Sequence, residues 1–253
     1  MIALITGATA GFGKAIAFKL AKHGYDLILT GRRKERLAEI EREITDTFGR
    51  KVFTLNFDVR NRQQTEAELN GLPHAWKNID VLVNNAGLAQ GLSTIQDGDI
   101  EDWETMIDTN VKGLLYVSRV VLPWMIKNNS GHVVNIGSLA GKEVYLKGNV
   151  YCATKYAVDA ISRAMRIDLL PHSIKVTNIN PGAAETEFSL VRYKGDTERA
   201  GQVYKGFDPL VADDIAEIAW FAISRPKHVV LNDIIVTPLA QASVAYMHKE
   251  NLS

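Results

Sequence analysis

The sequence predicts an α/β fold, doubly wound around one parallel sheet, and three observations carry that prediction. Short apolar runs rich in β-branched residues recur along the chain, segments with helical spacing separate them, and a glycine-rich turn directly follows the first run. Continuous apolar runs suit strands covered on both faces. Strands that alternate with helices imply right-handed βαβ crossovers and hence parallel neighbours.

In chain order the strand runs are Ile2 to Ile5, Leu27 to Leu29, Val52 to Leu55, Val81 to Val83, Val133 to Ile136, Val176 to Ile179 and Ile234 to Val236. Lys14 to Lys22 reads as the first helix. Arg32 to Glu43 is a dense charge run in which Leu37 and Ile40, followed by Ile44, keep helical spacing, which reads as a solvated helix face. Trp103, Met106, Ile107, Asn110, Val111 and Leu114 fall on one helical face that should meet the sheet. Ala183 to about Asp208 shows no long strand signal and carries Gly195, Gly201 and Gly206, which reads as a mobile loop with short helices. No domain boundary or internal repeat is visible, so residues 1–253 are expected to form a single domain, with this loop at about 183–208.

With 253 residues and 46% apolar content, the chain can bury one sizeable core. Its 29 basic and 29 acidic residues cancel, which argues against nucleic acid or an anionic membrane surface as partner. The opening Met-Ile-Ala-Leu-Ile reads as a buried strand rather than a secretory signal, and no apolar stretch approaches the roughly 18 residues that span a bilayer. The Asn128 and Asn251 glycosylation triplets matter only in a secreted protein. Cys152, the single cysteine, excludes an intramolecular disulfide and fits reduced surroundings, so a soluble cytoplasmic protein is expected. Neither Cys152 nor the six histidines have metal-ligand spacing, and no metal site is expected.

Directly after the first strand, Thr6-Gly7-Ala8-Thr9-Ala10-Gly11-Phe12-Gly13 hands over to a helix. Glycine permits a tight turn and close backbone approach, and free amides at a helix start attract a pyrophosphate. The second strand ends at Arg32 and Arg33, where an NAD-binding chain would offer a carboxylate to the ribose hydroxyls. Guanidinium groups suit the 2′-phosphate of NADP, although both arginines also suit the start of a charged helix. Asp58, after the third strand, can accept from the adenine amino group or act as a turn or cap residue. Tyr151 and Lys155 lie four apart, one helical turn, just beyond the strand whose end carries Ser138. A tyrosine titrates at about 10, and an adjacent ammonium is expected to favour its phenolate.

Thr6-Gly7-x-x-x-Gly11-x-Gly13, Asn84-Asn85-Ala86-Gly87, Asn110, Ser138, Tyr151-x-x-x-Lys155 and Pro181-Gly182 together resemble the single-domain short-chain dehydrogenase/reductases. That resemblance implies a Rossmann fold of about seven parallel strands with the cofactor across their carboxyl ends, and often a homotetramer. It implies Tyr151 as general acid/base, Ser138 as partner of the reacting oxygen, Lys155 on the nicotinamide ribose, and Asn110 holding Lys155 and a proton-relay water. Read singly, Ser138 also suits a turn or cap, Asn110 a helix kink, and Asn84 and Asn85 turns. Carried over to the cofactor, it implies contacts from Gly7, Thr9, Gly11, Phe12, Gly13, Arg32, Arg33, Asp58, Val59, Asn85, Ala86, Gly87, Tyr151 and Lys155. Backbone at Pro181, Gly182, Ala183 and Ala184, with the Thr186 hydroxyl, would meet the carboxamide. Gly148 to Tyr151 and Glu185 to Asp196 resemble the subgroup that oxidises serine, L-allo-threonine and other 3-hydroxy acids with NADP. A carboxylate there needs a cation, and Arg192 is the first choice, Lys147 the alternative. A carbonyl reductase of another substrate and a non-catalytic NADP(H) sensor remain competing readings.

Overall fold

A computed structural model describes residues 1–249; the Asn251 triplet lies outside the described residues. The strands are β1 (Ile2–Thr6), β2 (Asp26–Gly31), β3 (Val52–Asn56), β4 (Val81–Asn84), β5 (Gly131–Ile136), β6 (Ile174–Pro181) and β7 (Asp233–Val236). Each contains one of the apolar runs read from the sequence. They form one parallel sheet in the order β3-β2-β1-β4-β5-β6-β7. After β3 the chain crosses back over β1 to lay down β4, so the winding reverses between β1 and β4. Such a reversal opens a crevice beyond the carboxyl ends of the strands.

Both faces of the sheet are covered. On one lie α1 (Gly11–Lys22), α2 (Lys34–Phe48) and, at the chain's far end, α9 (Ala212–Ile223), which bury Ile16, Leu20, Leu37, Ile40 and Ile215 against the strands. On the other lie α3 (Arg62–Asn70), α5 (Leu114–Lys127) and α6 (Asn149–Leu169), through Leu69, Val117, Val121, Val158 and Met165. The charge run does become a helix, and its Leu37, Ile40 and Ile44 are buried. The first helix starts at Gly11, earlier than Lys14, inside the glycine-rich turn.

The predicted face from Trp103 to Leu114 is not one helix. It divides into α4 (Ile100–Ile107), a π-helical turn at Asp108–Gly113, and α5. The wider turn breaks the 3.6-residue register, so Met106, Asn110 and Leu114 are buried while Ile107 is turned outward at 39% exposure. The segment after β6 holds α7 (Phe188–Arg192) and α8 (Thr197–Gln202), with a parallel bridge between Ala184 and Leu210 closing its base.

Candidate active site

The crevice begins at the β1–α1 turn. Gly7 and Gly11 sit at φ 65° and 50°, backbone that favours glycine. A Cβ on Gly13 would lie 2.4 Å from the Gly7 carbonyl and from Asn85 Nδ2, so this position admits only hydrogen. Asn85 locks the turn to β4: its Nδ2 donates to the Thr6 and Gly7 carbonyls at 2.9 and 3.1 Å, while Thr6 Oγ1 accepts from the amides of Asn85 and Ala86. Ala10 precedes α1 and has no side chain to cap it, and no acidic residue stands in the first turn. Free first-turn amides at a topological switch point fit a pyrophosphate.

At the end of β2, Arg33 donates through Nε and Nη2 to Thr9 Oγ1 at 3.1 and 2.8 Å, which ties it to the phosphate loop. Its Nη1 donates to Glu187, which also accepts from Arg36. Arg32 is more open, its side chain 60% exposed with one ion-pair contact to Asp58 at 3.9 Å. These guanidinium groups fit a 2′-phosphate. Asp58 accepts from the backbone amide, Nε and Nη2 of Arg60, and those bonds outweigh burial to hold its carboxyl below the usual range. The turn role of Asp58 is therefore present whatever it contributes to adenine. Val59 is buried against Gly113 of the π-helical turn.

Ser138, Tyr151 and Lys155 converge where β5 meets α6. Ser138 Oγ accepts from the Ala140 amide at 3.1 Å, so the cap reading holds. Its own amide donates to Asn180 Oδ1 at 3.3 Å. Tyr151 is buried among Leu88, Met106 and Cys152. Among the described residues Lys155 makes no hydrogen bond to the Tyr151 phenol. Burial pushes the Tyr151 phenol well above its ordinary value, with a hydrogen bond to Ser138 only partly opposing it. Lys155 Nζ donates instead to the Ile136 carbonyl at 2.9 Å and stands 6.0 Å from the Tyr151 ring centre, and burial lowers it to about 8.

Asn110 does not bond Lys155. Its Oδ1 accepts from the Leu88 amide at 2.8 Å, and its Nδ2 donates to the Leu88 carbonyl at 2.8 Å and to Thr154 Oγ1 at 3.0 Å. It thus joins the π-helical turn to the strand-end loop and to α6. It faces the same spot as Lys155: a Cβ on Gly87 would lie 3.2 Å from Asn110 Oδ1 and 3.5 Å from Lys155 Nζ.

After β6, the Gly182 amide donates to Val236 O at 2.7 Å and the Ala183 amide to Gln241 Oε1 at 2.8 Å, while the Ala183 carbonyl accepts from Leu210. These groups hold the turn itself. Ala184 is buried beside them. Thr186 packs 3.5 Å from where a Cβ on Gly11 would stand, so the start of the segment after β6 reaches the phosphate loop. Phe12 packs against the core beneath it.

A small open cleft adjoins Tyr151, lined also by Asp102, Trp103, Met106, Lys147 and Arg192. The Arg192 guanidinium lies 5.3 Å from the Tyr151 ring centre and 5.6 Å from that of Phe188, and it donates to Tyr145 Oη. Its buried Nε has no partner among the described residues. The Gly91 amide donates to the Arg192 carbonyl at 3.0 Å, and Lys194 pairs with Asp102 at 2.8 Å, so both ends of this turn are fixed to the cleft wall. Glu187, Arg36, Asn180 and Gln241 were not singled out from the sequence. Each acts across a long chain separation, and no local spacing reveals such pairs.

The short chain dehydrogenase family model matches residues 1–195. The chain is 49% identical over 243 residues, 96% of each protein, to an NADP-dependent 3-hydroxy acid dehydrogenase of Salmonella typhi. It is 44% identical over 246 residues, 97% of each, to sulfoacetaldehyde reductase 2 of Chromohalobacter salexigens. Its fold matches the closed form of a serine dehydrogenase complexed with NADP+ at a TM-score of 0.92 and 45% identity, covering 99% of this chain and 100% of that one. The glycine-rich turn, the convergent Ser138, Tyr151 and Lys155, and these likenesses have one reading: the chain belongs to the short-chain dehydrogenase/reductase family.

Proposed function

We propose that this protein is an NADP-dependent oxidoreductase that interconverts the alcohol of a small 3-hydroxy acid with its carbonyl. One domain spanning residues 1–253 would serve both cofactor and substrate. The observation that carries the substrate class is Arg192, a cation stacked beside Tyr151 in the cleft with an unpartnered buried Nε. A carboxylate bound there leaves the carbon two atoms away within reach of the Tyr151 hydroxyl.

NADP, when bound, supplies the hydride donor or acceptor. Gly7, Thr9, Gly11, Phe12 and Gly13 would hold its pyrophosphate, Arg32 and Arg33 its 2′-phosphate, Asp58 and Val59 its adenine, Asn85 to Gly87 and Lys155 its ribose, and Pro181 to Ala184 with Thr186 its carboxamide. Tyr151, kept protonated at neutral pH by burial, gives its proton to the carbonyl oxygen in reduction, and Ser138 hydrogen-bonds the same oxygen. Lys155, titrating at about 8, takes up or returns a proton beside it, with Asn110 holding the surrounding loop.

Following NADPH absorbance with 3-hydroxy acids, their semialdehydes, a sulfonated aldehyde and uncharged carbonyls tests this reading. Turnover confined to anionic substrates supports it. A preference for the sulfonate favours the second reading, an aldehyde reductase for sulfonates, because Arg192 reads charge rather than the atom bearing it. Equal rates on uncharged carbonyls point to a general carbonyl reductase, and NADP binding without any turnover to a sensor. We also propose a cytoplasmic homotetramer, supported by the family expectation and by Ile167 and Leu170, exposed at 75% and 76% near the end of α6. Light scattering checks the subunit number. Among the described residues no helix is long and apolar enough to cross a membrane.

A further inference from the structure

Glu187 stands where the arginines at the end of β2 meet the start of α7. Its Oε2 accepts from Arg33 Nη1 at 2.8 Å and its Oε1 from Arg36 Nη1 at 2.6 Å. One anion whose oxygens bridge two guanidinium groups is the arrangement a phosphate would take. Arg33 has turned Nε and Nη2 toward Thr9, so Nη1 is the edge it presents outward, and Glu187 holds it. All three side chains are partly open to solvent, at 42%, 47% and 40% exposure, within reach of an incoming ligand. Burial would raise the Glu187 carboxyl, but the bonds from Arg33 and Arg36 hold it below the usual carboxylate range, so it is ionised at neutral pH.

We propose that Glu187 is a built-in competitor for the 2′-phosphate of the cofactor. A phosphate drawn to the same edges of Arg33 and Arg36 meets the Glu187 carboxylate already held there, and two anions on one pair of arginines repel. The phosphate therefore displaces Glu187, and Arg36 becomes a third cation of its site beside Arg32 and Arg33. A dinucleotide without a 2′-phosphate leaves the clasp shut. This rests on the NADP reading above. Because Glu187 leads into α7, which carries Phe188 and Arg192, opening the clasp also frees the near end of the segment over the cleft. The far end stays fixed through Lys194 to Asp99 and Asp102.

Affinity for a ligand that needs an open clasp is reduced by the fraction of molecules in which it is open. Partly exposed ion pairs are individually weak, and two on one carboxylate correspond to about a three- to tenfold reduction. Isothermal titration of the full chain with 2′,5′-ADP and with ADP tests this without any substrate. Glu187→Gln keeps the shape of the side chain and removes its charge. The expected result is 2′,5′-ADP binding about three- to tenfold tighter in Glu187→Gln than in the parent, with ADP binding unchanged. Equal or weaker 2′,5′-ADP binding in the variant overturns the proposal, because Glu187 then does not compete. A parallel change in ADP binding overturns it too, by assigning Glu187 to the architecture of the adenosine pocket. A parent that binds both probes alike would defeat the NADP reading itself, and the proposal with it.

Discussion

Tyr151 and Lys155 show how burial decides what a side chain does. Four residues apart on α6, they invite the expectation that an ammonium stabilises a phenolate, yet desolvation raises the phenol and lowers the amine, so both are driven toward neutrality. Alcohol oxidation must release a proton into this site and therefore speeds up as a group there loses its own. kcat/KM for oxidation is expected to rise with pH through about 8 and level off above it. In Lys155→Arg, whose guanidinium stays charged, that rise should vanish together with most of the rate. A flat parental profile from about pH 6 to pH 10 would contradict the assignment. Tyr151→Phe should lower turnover by about 10²- to 10⁴-fold while leaving NADP binding in place, as measured by single-turnover kinetics and titration. At the cofactor end, Arg32→Ala and Arg33→Ala should each weaken NADP(H) by about tenfold or more and NAD little.

Elements explain why these residues meet. The π-helical turn between α4 and α5 brings Asn110 to the loop after β4, and the β1–α1 turn closes only because Gly13 carries no side chain. Gly13→Ala would place a Cβ 2.4 Å from the Gly7 carbonyl. Overpacking of this kind costs about 1–3 kcal/mol, so chemical denaturation should show a lower midpoint and titration a loss of dinucleotide binding. An unchanged midpoint with parental binding would mean that the turn relaxes freely. The strands were legible because sheets covered on both faces need continuous apolar runs, such as Leu27 to Leu29. The π-helical turn was not, since apolar spacing from Trp103 to Leu114 satisfies a regular helix equally well. Its signature is Ile107 turned out to solvent, and only the fold supplies that.

On the scale of the whole molecule, the site draws on both halves of the sheet, and this limited how far it could be read in advance. Gly7, Asn85, Ser138, Tyr151 and Lys155 lie at strand ends or in short motifs, so the sequence places them through its alternation of elements. Glu187 with Arg33, Gln241 with Ala183, and Asn180 with Ser138 join distant segments by single hydrogen bonds, which leave no periodic trace. Arg192 belongs to the first group by motif and to the second by geometry: its guanidinium reaches Tyr151 because Gly91 and Asp102 anchor the turn that carries it. The central claim, that this arginine selects an anionic 3-hydroxy acid for NADP-linked oxidation, is tested most directly by the ratio of kcat/KM for 3-hydroxypropionate to that for an uncharged alcohol of the same length. The ratio should be well above one in the parent and should collapse in Arg192→Ala, with the uncharged alcohol and NADP affinity little affected. A parental ratio near one, or equal losses on both substrates in Arg192→Ala, would contradict it.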